Sequence, residues 1–341
     1  MEQVNNNTGW REEFSSLFLS NNSADVKKAL ILKSEKLNQP LYRYRSIKND
    51  EEVAWLIKFM QDGKLYCAHR DDLNDPFEFR APLSSKAAST YYDDVIPESQ
   101  KTTFFEQFEK HHPEVPEANL AEMMQSENWY EEAVRYMNRD LPEMYQDLVI
   151  TKLNADLNAV RMRPLVDGMV NYEAILNTVR VACFTTSHKN LPMWSHYANG
   201  HRGVCLKFDT SRLQTSETDN LFPAIYTDEL QDAVKYVKSF FDNKRLPPVE
   251  MLTYTCIQKL RDWDYEDEWR YVCALDPASA PHGGIEVNFI PPSKIILGIK
   301  TEPNVKAELC KIASKEKIEI TEMQFTPYGL EEKPRPPTRK P

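Results

Sequence analysis

Alternating apolar and polar residues predict a series of short β-strands. In GVCLKFD, the apolar side chains of Val204, Leu206 and Phe208 fall on every second position. Because strand side chains point alternately to opposite faces, these three residues form one face that must pack on a core. Comparable patterns predict strands at LYRYRSI (41–47), KLYCAH (64–69), VRVACFTTS (179–187), FPAIY (222–226), EWRYVCAL (268–275), GIEVNFI (284–290), KIILGIK (294–300) and IEITEMQF (318–325).

A longer spacing predicts helices between these strands. One segment has apolar residues at intervals of three and four, which places them on a single helix face. These residues are Val53, Leu56, Ile57 and Met60. Asn49 or Asp50 can cap the start of this helix, and Gly63 can end it. Further helices are expected at about 12–36, 231–241, 248–261 and 305–314.

The order of these elements predicts an α+β fold. Residues about 84–178 are acidic and amphipathic with few strand signals, and we interpret them as a helical insertion. The sequence has neither a GxGxxG nor a GxxxxGK motif, which disfavours a doubly wound nucleotide-binding fold. We therefore predict a mixed, mainly antiparallel sheet with flanking helices. The expected organisation is a helical segment at 1–37, one α+β domain at 38–330 that contains the insertion, and a flexible proline-rich tail at 331–341.

Charge and cysteine content narrow the setting in which the protein works. Lys and Arg total 42 and Asp and Glu total 52, so the net charge is −10 and nonspecific binding to duplex nucleic acid is not expected. The six cysteines show no zinc-type spacing, and several fall in predicted strands, which suits a reducing compartment and predicts no metal site. No basic segment precedes an apolar run at the N-terminus, and no run of about eighteen apolar residues occurs. We expect a cytoplasmic protein that does not enter the membrane.

Two arginines share one face of the first predicted strand. Arg43 and Arg45 are two positions apart in the predicted strand LYRYRSI, so their side chains point to the same face and their guanidinium groups lie side by side. Like charges at this distance repel each other unless an anion lies against them. That anion can be a carboxylate of the protein or a phosphate of a ligand. Tyr44, between the two arginines, can pack in the core or contact a ligand ring.

The segment NDPFE (74–78) is typical of a turn. Asn74 and Asp75 favour local hydrogen bonds to the backbone, and the following proline fixes φ. These polar side chains can serve the turn alone or face a ligand. Asp75 or Glu78 can also bind a divalent metal or orient Arg45, although no further ligands for a hard cation stand nearby in the sequence.

The segment MWSHYANGH (193–201) has no usable period, and we predict a loop that presents several rings together. Trp194 and Tyr197 can form a stacking wall for a flat ring. His196 can act as a base or make a structural hydrogen bond. Gly203, just beyond this segment, permits a close approach of backbone.

Charged side chains mark the entry to a late strand in WDYEDEWRYV (263–272). Glu266, Glu268 and Arg270 share parity, and the apolar residues that follow indicate a buried strand. An isolated buried carboxylate is costly, so Glu268 must find a partner. It can pair with Arg270 or with the early arginines across the sheet, or it can hydrogen-bond a ligand hydroxyl and stabilise positive charge on a sugar.

These four segments, in this order, resemble a bacterial family known as domain of unknown function 2971. Its members have a strand bearing tyrosine and arginine near the start, an NDPFE-like turn, an MWSHYA stretch followed by GxCLxF, and a YExEWR-like ending. The matching residues here are 41–45, 74–78, 193–198, 203–208 and 265–270. The resemblance spans about 41–298 and does not by itself imply an activity.

The layout is also similar, at the level of fold, to NAD-using ADP-ribosyltransferases, which carry a basic residue on an early strand and a glutamate at a late strand entry. This resemblance implies that Arg43 or Arg45 lies near the dinucleotide and that Tyr44 or Trp194 contacts nicotinamide. Glu268 would align the ribose hydroxyl as the glycosidic bond ionises. The middle motif of that superfamily is absent, because CAHRDDLNDP (67–76) stands in its place.

These residues are compatible with three different functions. The first is an NAD-dependent transferase that modifies a macromolecule, as a defence or toxin effector does, with Glu268, Arg43 and His196 as catalytic residues. The second is a binding module for a nucleotide-like or phosphorylated small molecule, without reaction. The third is a metal-dependent nuclease that uses Asp75, Glu78 and Glu268. The residues assigned to ligand binding are Tyr44, Arg45, Asn74, Asp75, Trp194, Tyr197 and Arg270.

Overall fold

The computed structural model describes residues 9–20, 22–82, 98–126, 129–233 and 249–334. The chain divides into two compact units. The first comprises residues 1–80, 174–231 and 248–341, and the second comprises residues 81–173 and 232–247. All predicted site residues belong to the first unit.

The first unit is built on a large sheet and two small ones. Its strands are β1 (Leu41–Arg45), β2 (Lys64–Cys67), β3 (Val179–Thr185), β4 (Val204–Phe208), β5 (Leu221–Pro223), β6 (Ile225–Thr227), β7 (Gln258–Leu260), β8 (Glu268–Ala274), β9 (Ile285–Asn288), β10 (Lys294–Leu297), β11 (Glu319–Thr326) and β12 (Gly329–Pro334). Eight of them form one sheet in the order β12-β11-β10-β4-β1-β3-β8-β5. Within it β10 and β11 are parallel and the other neighbours are antiparallel. The predicted mixed, mainly antiparallel sheet is confirmed.

Helices flank this sheet and fill the insertion. They are α1 (Gly9–Phe18), α2 (Ser23–Lys36), α3 (Asp50–Asp62), α4 (Glu98–His111), α5 (Glu117–Gln125), α6 (Trp129–Met137), α7 (Glu143–Leu176), α8 (Leu191–Tyr197), α9 (Thr215–Asp219), α10 (Val249–Ile257) and α11 (Pro303–Glu316). Helices α4, α5 and α6 and most of α7 belong to the second unit, so the predicted helical insertion is confirmed. A small core of the second unit contains Phe105, Phe108, Met123 and Ala133.

Helix α3 follows directly from its sequence. The side chain of Asn49 accepts a hydrogen bond from the amide of Glu52 at 2.9 Å and caps the first turn. Gly63 adopts the left-handed conformation with φ 61° and ends the helix, as a residue without Cβ does most easily. The predicted apolar face, which includes Leu56 and Met60, is buried in the core. Both helix ends and the buried face are therefore as predicted.

The alternation along β1 separates two cores, one on each face of the sheet. Leu41 joins the larger core, which contains α3 and Phe208 of β4. Tyr42 and Tyr44 face the other side and pack in a smaller core with Trp194. Arg43 and Arg45 share the face of Leu41, so the two guanidinium groups enter the layer between the sheet and α3.

Several segments differ from the sequence prediction. The expected loop at 193–201 begins with α8, because Asn190 caps that helix by accepting from the amide of Met193 at 3.2 Å and a proline occupies its first turn. The predicted single strand at 222–226 is two strands, β5 and β6, separated at Ala224. Residues 331–334, assigned to a flexible tail, pair in β12, while residues 335–341 lie outside the described residues. Most of the helix predicted at 231–241 also lies outside them.

Gly203 illustrates a close backbone approach beside the arginine strand. A Cβ at this position would lie 2.1 Å from the carbonyl oxygen of Arg45 and 3.1 Å from the Cα of Ala198. Both neighbours are backbone, so neither can rotate away. Gly203→Ala is therefore expected to lower the free energy of unfolding by about 1–3 kcal/mol, the usual cost of overpacking. Urea denaturation measures this loss. Gly9→Ala is the control, because nothing lies within 4 Å of the added Cβ there, and an unchanged Gly203→Ala protein would contradict the prediction.

Candidate functional site

Strands β1 and β3 diverge after one paired position. Among the described residues the two strands pair only at Tyr42 with Thr185, whereas β1 pairs with β4 along its full length. Beyond the divergence, Val181 of β3 instead bridges Ala68, with backbone hydrogen bonds of 2.7 and 2.9 Å. The divergence leaves a cavity of about 310 Å³ that reaches from Arg43 and Arg45 to side chains beyond β3.

A second cavity of about 400 Å³ adjoins the first. Both are lined by Tyr44, Arg45 and Tyr197. Trp55 and Tyr66 add two further aromatic side chains to the second cavity. We call the two cavities together the cleft. Each has a volume typical of sites for small organic ligands.

The contacts of the two arginines in the cleft include a backbone carbonyl and an aromatic ring. Neither Arg43 nor Arg45 makes an ion pair with any described residue, although both are half-buried. The Nη2 of Arg43 donates to the carbonyl of Tyr66 at 3.1 Å, while its buried Nη1 has no hydrogen-bond partner in the described part of the chain. The guanidinium of Arg45 lies 4.2 Å from the ring centroid of Trp55, a cation–π contact.

Their electrostatic setting disfavours the two positive charges. Burial and, to a smaller extent, the neighbouring charge of Arg43 lower the pKa of Arg45 to about 9, while Glu52 opposes the shift. Burial also lowers the pKa of Arg43. An anion placed against both guanidinium groups would reverse these shifts, because an opposite charge favours the charged form. The predicted pair of arginines thus has no ion-pair partner among the described residues, and Glu52, which lines the adjoining cavity, offsets the lowered pKa of Arg45 only in part.

On the other side of the cavity lies a buried set of ionic side chains, which we call the charge cluster. Its members are Glu78, Lys259, Glu266, Glu268 and Arg270, each no more than 6% exposed. The Nζ of Lys259 lies 3.1 Å from Glu78, 2.7 Å from Glu266 and 3.1 Å from Glu268. Three carboxylates therefore face two cations, and the cluster carries one excess negative charge when all members are ionised.

The two glutamates of the late strand entry differ in their electrostatics. Burial opposes the charge of Glu268, but Arg270 and Lys259 outweigh it and lower its pKa to about 2. Both oxygens of Glu268 accept from these cations, at 3.0 to 3.1 Å. Burial and the charge of Glu268 raise the pKa of Glu266. Glu268 is thus held as a carboxylate, whereas Glu266 takes up a proton more readily than Glu268.

Tyr197 connects the middle motif to the charge cluster. Its hydroxyl donates to Oε1 of Glu266 at 2.5 Å and accepts from Nδ2 of Asn74 at 3.1 Å. Arg11 of α1 reaches the same region, where its Nη1 donates to the backbone carbonyl of Glu268 at 3.1 Å. Tyr197 therefore joins the turn to the late strand entry, and the N-terminal helix contacts the late strand by a separate hydrogen bond.

The structure brings six of the predicted site residues to the cleft. Those that line it are Arg43, Tyr44, Arg45, Asn74, Tyr197 and Glu268. Arg270 does not line it but holds Glu268 from behind, and its Nη1 donates to the carbonyl of Cys256 at 2.7 Å.

The other three predicted residues lie elsewhere. Trp194 is fully buried, its indole donates to the carbonyl of His188 at 2.8 Å, and its ring packs edge-on against Tyr44, so it belongs to the core instead of a stacking wall. His196 is exposed and its Nδ1 lies 3.2 Å from the hydroxyl of Tyr265, away from the cleft. Asp75 accepts from the amide of Phe77 at 2.9 Å and so serves the turn.

Three cleft or cluster residues were not expected from the sequence. Lys259 lies in a segment predicted as a helix, where a lysine normally faces solvent. Its position after the buried residues Cys256 and Ile257 was the available signal, because a charge that continues an apolar run is frequently buried with partners. Trp55 and Tyr66 carry no local pattern that separates a cleft ring from a core ring.

The described residues contain neither a side-chain cluster suited to a metal ion nor a helix suited to a membrane. There, no group of three or more His, Cys, Asp or Glu side chains could hold a metal ion. Likewise, no helix within the described ranges is long and apolar enough to span a membrane.

Comparison with known proteins adds one finding on family. No curated protein and no solved structure matches the chain. The region from Met193 to Tyr271, which contains most of α8, β4, Lys259 and the late glutamates, matches one family model. Over residues 193–271 the predicted resemblance is confirmed, and this part of the chain matches the family described as Protein of unknown function (DUF2971).

Proposed function

We propose that the cleft binds a nucleotide-like anion through Arg43 and Arg45. The observation that carries this proposal is the pair of neighbouring guanidinium groups that line one cavity without a carboxylate partner among the described residues. The charge of Arg43 lowers the pKa of Arg45, and Glu52 offsets this effect only in part. A phosphate that accepts hydrogen bonds from both guanidinium groups would oppose this effect and would gain charge-assisted bonds.

The adjoining cavity suits the ring of such a ligand. Trp55, Tyr66 and Tyr197 line it together with Arg45. Aromatic side chains offer a flat heterocycle favourable offset or edge-on contacts. A ligand with its phosphate on the arginines and its base among these rings would use both cavities. A phosphate alone would use one.

Isothermal titration calorimetry with AMP, ADP-ribose, NAD and pyrophosphate tests the proposal. Wild-type protein is expected to bind at least one of the nucleotides, and Arg45→Gln is expected to weaken that binding about 10–100-fold. This range corresponds to the loss of a hydrogen bond to a charged group. Raising the salt concentration should weaken wild-type binding more than binding by the variant.

The exposed Arg212 provides the matched control. Arg212→Gln removes the same charge outside the cleft, so its affinity should equal that of wild type. The proposal is overturned if none of the four compounds binds, or if Arg45→Gln binds them as wild type does.

NAD-dependent transfer of ADP-ribose to a macromolecule is a second candidate. It is favoured by the presence of Glu268 in the same cavity as the arginines. With both oxygens held by cations, Glu268 would act on a developing positive charge through its field and not as a free hydrogen-bond acceptor. Release of nicotinamide from NAD, lost in folded Arg45→Gln protein, would support transfer. Binding of NAD without release would support the binding module alone.

A further inference from the structure

One buried oxygen in the charge cluster has no hydrogen-bond partner among the described residues. Oε1 of Glu78 lies 3.1 Å from Nζ of Lys259 and 3.1 Å from Nη2 of Arg270, within ion-pair distance of both. Its Oε2 is buried and has no hydrogen-bond partner among the described residues. The other two carboxylates of the cluster differ in this respect, because both oxygens of Glu266 and both of Glu268 accept hydrogen bonds.

The unpartnered oxygen belongs to a residue that lines the cleft. Glu78 is only 6% exposed, yet it contributes to the same cavity of about 310 Å³ as Arg43. Arg43 supplies the complementary feature, a buried Nη1 donor without a partner in the described part of the chain. Buried polar atoms without partners are rare in folded proteins and commonly mark the place of a water, ion or ligand.

The two ends of the cavity carry opposite net charge. The arginine end carries two positive charges that form no ion pair with a described residue, and the cluster end carries three carboxylates against two cations. A ligand that is an anion throughout would leave the acidic end unsatisfied. A ligand with an anion at one end and a hydrogen-bond donor at the other would satisfy both.

We propose that Glu78 recognises a hydrogen-bond donor of the ligand, so that the cleft selects phosphate esters that carry a hydroxyl or amino group. The phosphate lies on Arg43 and Arg45, and the donor reaches Oε2 of Glu78. This inference rests on the proposed binding of an anion by the arginines and adds the chemistry of the ligand's other end.

Three small phosphate esters separate the possible donors. Methyl phosphate has no donor beyond its phosphate, ribose 5-phosphate has hydroxyl groups, and phosphoethanolamine has an ammonium group. Wild-type protein is expected to bind at least one of the two donor-bearing esters about tenfold more tightly than methyl phosphate, the scale of one hydrogen bond to a charged group. The ester that shows this preference identifies the donor as hydroxyl or ammonium.

Glu78→Gln is the diagnostic variant. The carbonyl oxygen of the new amide must face Lys259 and Arg270, so its NH₂ group takes the place of Oε2 and opposes a ligand donor. The preference over methyl phosphate should then fall to about twofold or less, while methyl phosphate itself binds nearly as before. Because the preference is a ratio measured within one variant, a general loss of folded protein cancels from it.

The variant Arg45→Gln distinguishes the role of Glu78 from the binding of the phosphate by the arginines. That variant should weaken all three esters by a similar factor and leave the preference unchanged. If methyl phosphate binds as tightly as both other esters, or if Glu78→Gln keeps the full preference, the role of Glu78 is overturned while anion binding stands. If no ester binds, both proposals fail.

Discussion

Lys259→Met is expected to lower the free energy of unfolding by about 3–5 kcal/mol, the cost of removing one partner from a buried ionic network. Lys259 is 3% exposed and lies within 3.1 Å of three carboxylates. Burial alone would lower its pKa, but Glu268, Glu78 and Glu266 outweigh burial and raise it. Methionine fills similar space without charge, so the variant leaves three buried carboxylates against Arg270 alone.

The loss should depend on pH in a defined direction. Without Lys259, the cluster loses a cation that favours charged carboxylates, so Glu266, whose pKa is already raised, holds its proton more tightly still. A group with a raised native pKa contributes its stability at low pH and loses it as the pH rises through that pKa. Urea denaturation should therefore show a larger deficit of Lys259→Met at pH 8 than at pH 5.

Lys294 supplies the matched control for this variant. It also contacts two carboxylates, Glu319 at 3.0 Å and Glu332 at 2.8 Å, but its side chain is 16% exposed and that of Glu319 is 61% exposed. Solvent screens such pairs, so Lys294→Met should cost no more than about 1 kcal/mol. Equal losses from the two lysine variants would show that the charge cluster is not a tightly coupled network.

Local patterns were sufficient to predict most elements of the fold. The face of α3, its cap at Asn49 and its end at Gly63 are encoded within fifteen residues, and each uses interactions between sequence neighbours. The alternation that places Arg43 and Arg45 on one face is equally local. Helix α8 was missed because seven residues hold too few turns to show a period, although Asn190 signals its start.

The cleft could be predicted only in part, because it depends on contacts between distant segments. The alternation of residues along the sequence placed Arg43, Arg45 and Glu268 on strands. It does not show that β1 and β3 diverge after one pair of residues. It also cannot show which carboxylates meet Lys259, since Glu78 and Glu268 are separated by most of the chain. Trp194 was assigned to a ligand because its segment was predicted as a loop that presents several rings together, whereas its burial in the smaller core depends on the packing of α8 against β1.

A pair of isosteric substitutions should separate the two glutamates of the late strand entry at pH 7. Glu268→Gln is expected to lower the free energy of unfolding by about 3 kcal/mol, whereas Glu266→Gln is expected to change it by less than about 1 kcal/mol or to raise it. The difference between the ordinary pKa of 4.5 and the value of about 2 held by Glu268 corresponds to the larger figure. The direction for Glu266 is opposite, because burial and the charge of Glu268 raise its pKa, and losing its charge relieves the cluster.

The pH dependence of the free energy of unfolding, compared between wild type and each variant, tests independently whether the pKa of each glutamate is raised or lowered. Glu268 has a lowered pKa, so its contribution is complete above the ordinary value of 4.5 and disappears as the pH falls toward about 2. Urea denaturation at pH 7 and pH 3 should therefore show the Glu268→Gln deficit shrinking on acidification. Glu266 has a raised pKa, so its contribution is present at low pH and is lost as the pH rises through that raised value. Equal deficits for both variants at pH 7 would contradict the assignment of the permanent charge to Glu268, and with it the proposal that this carboxylate acts on the ligand through its field.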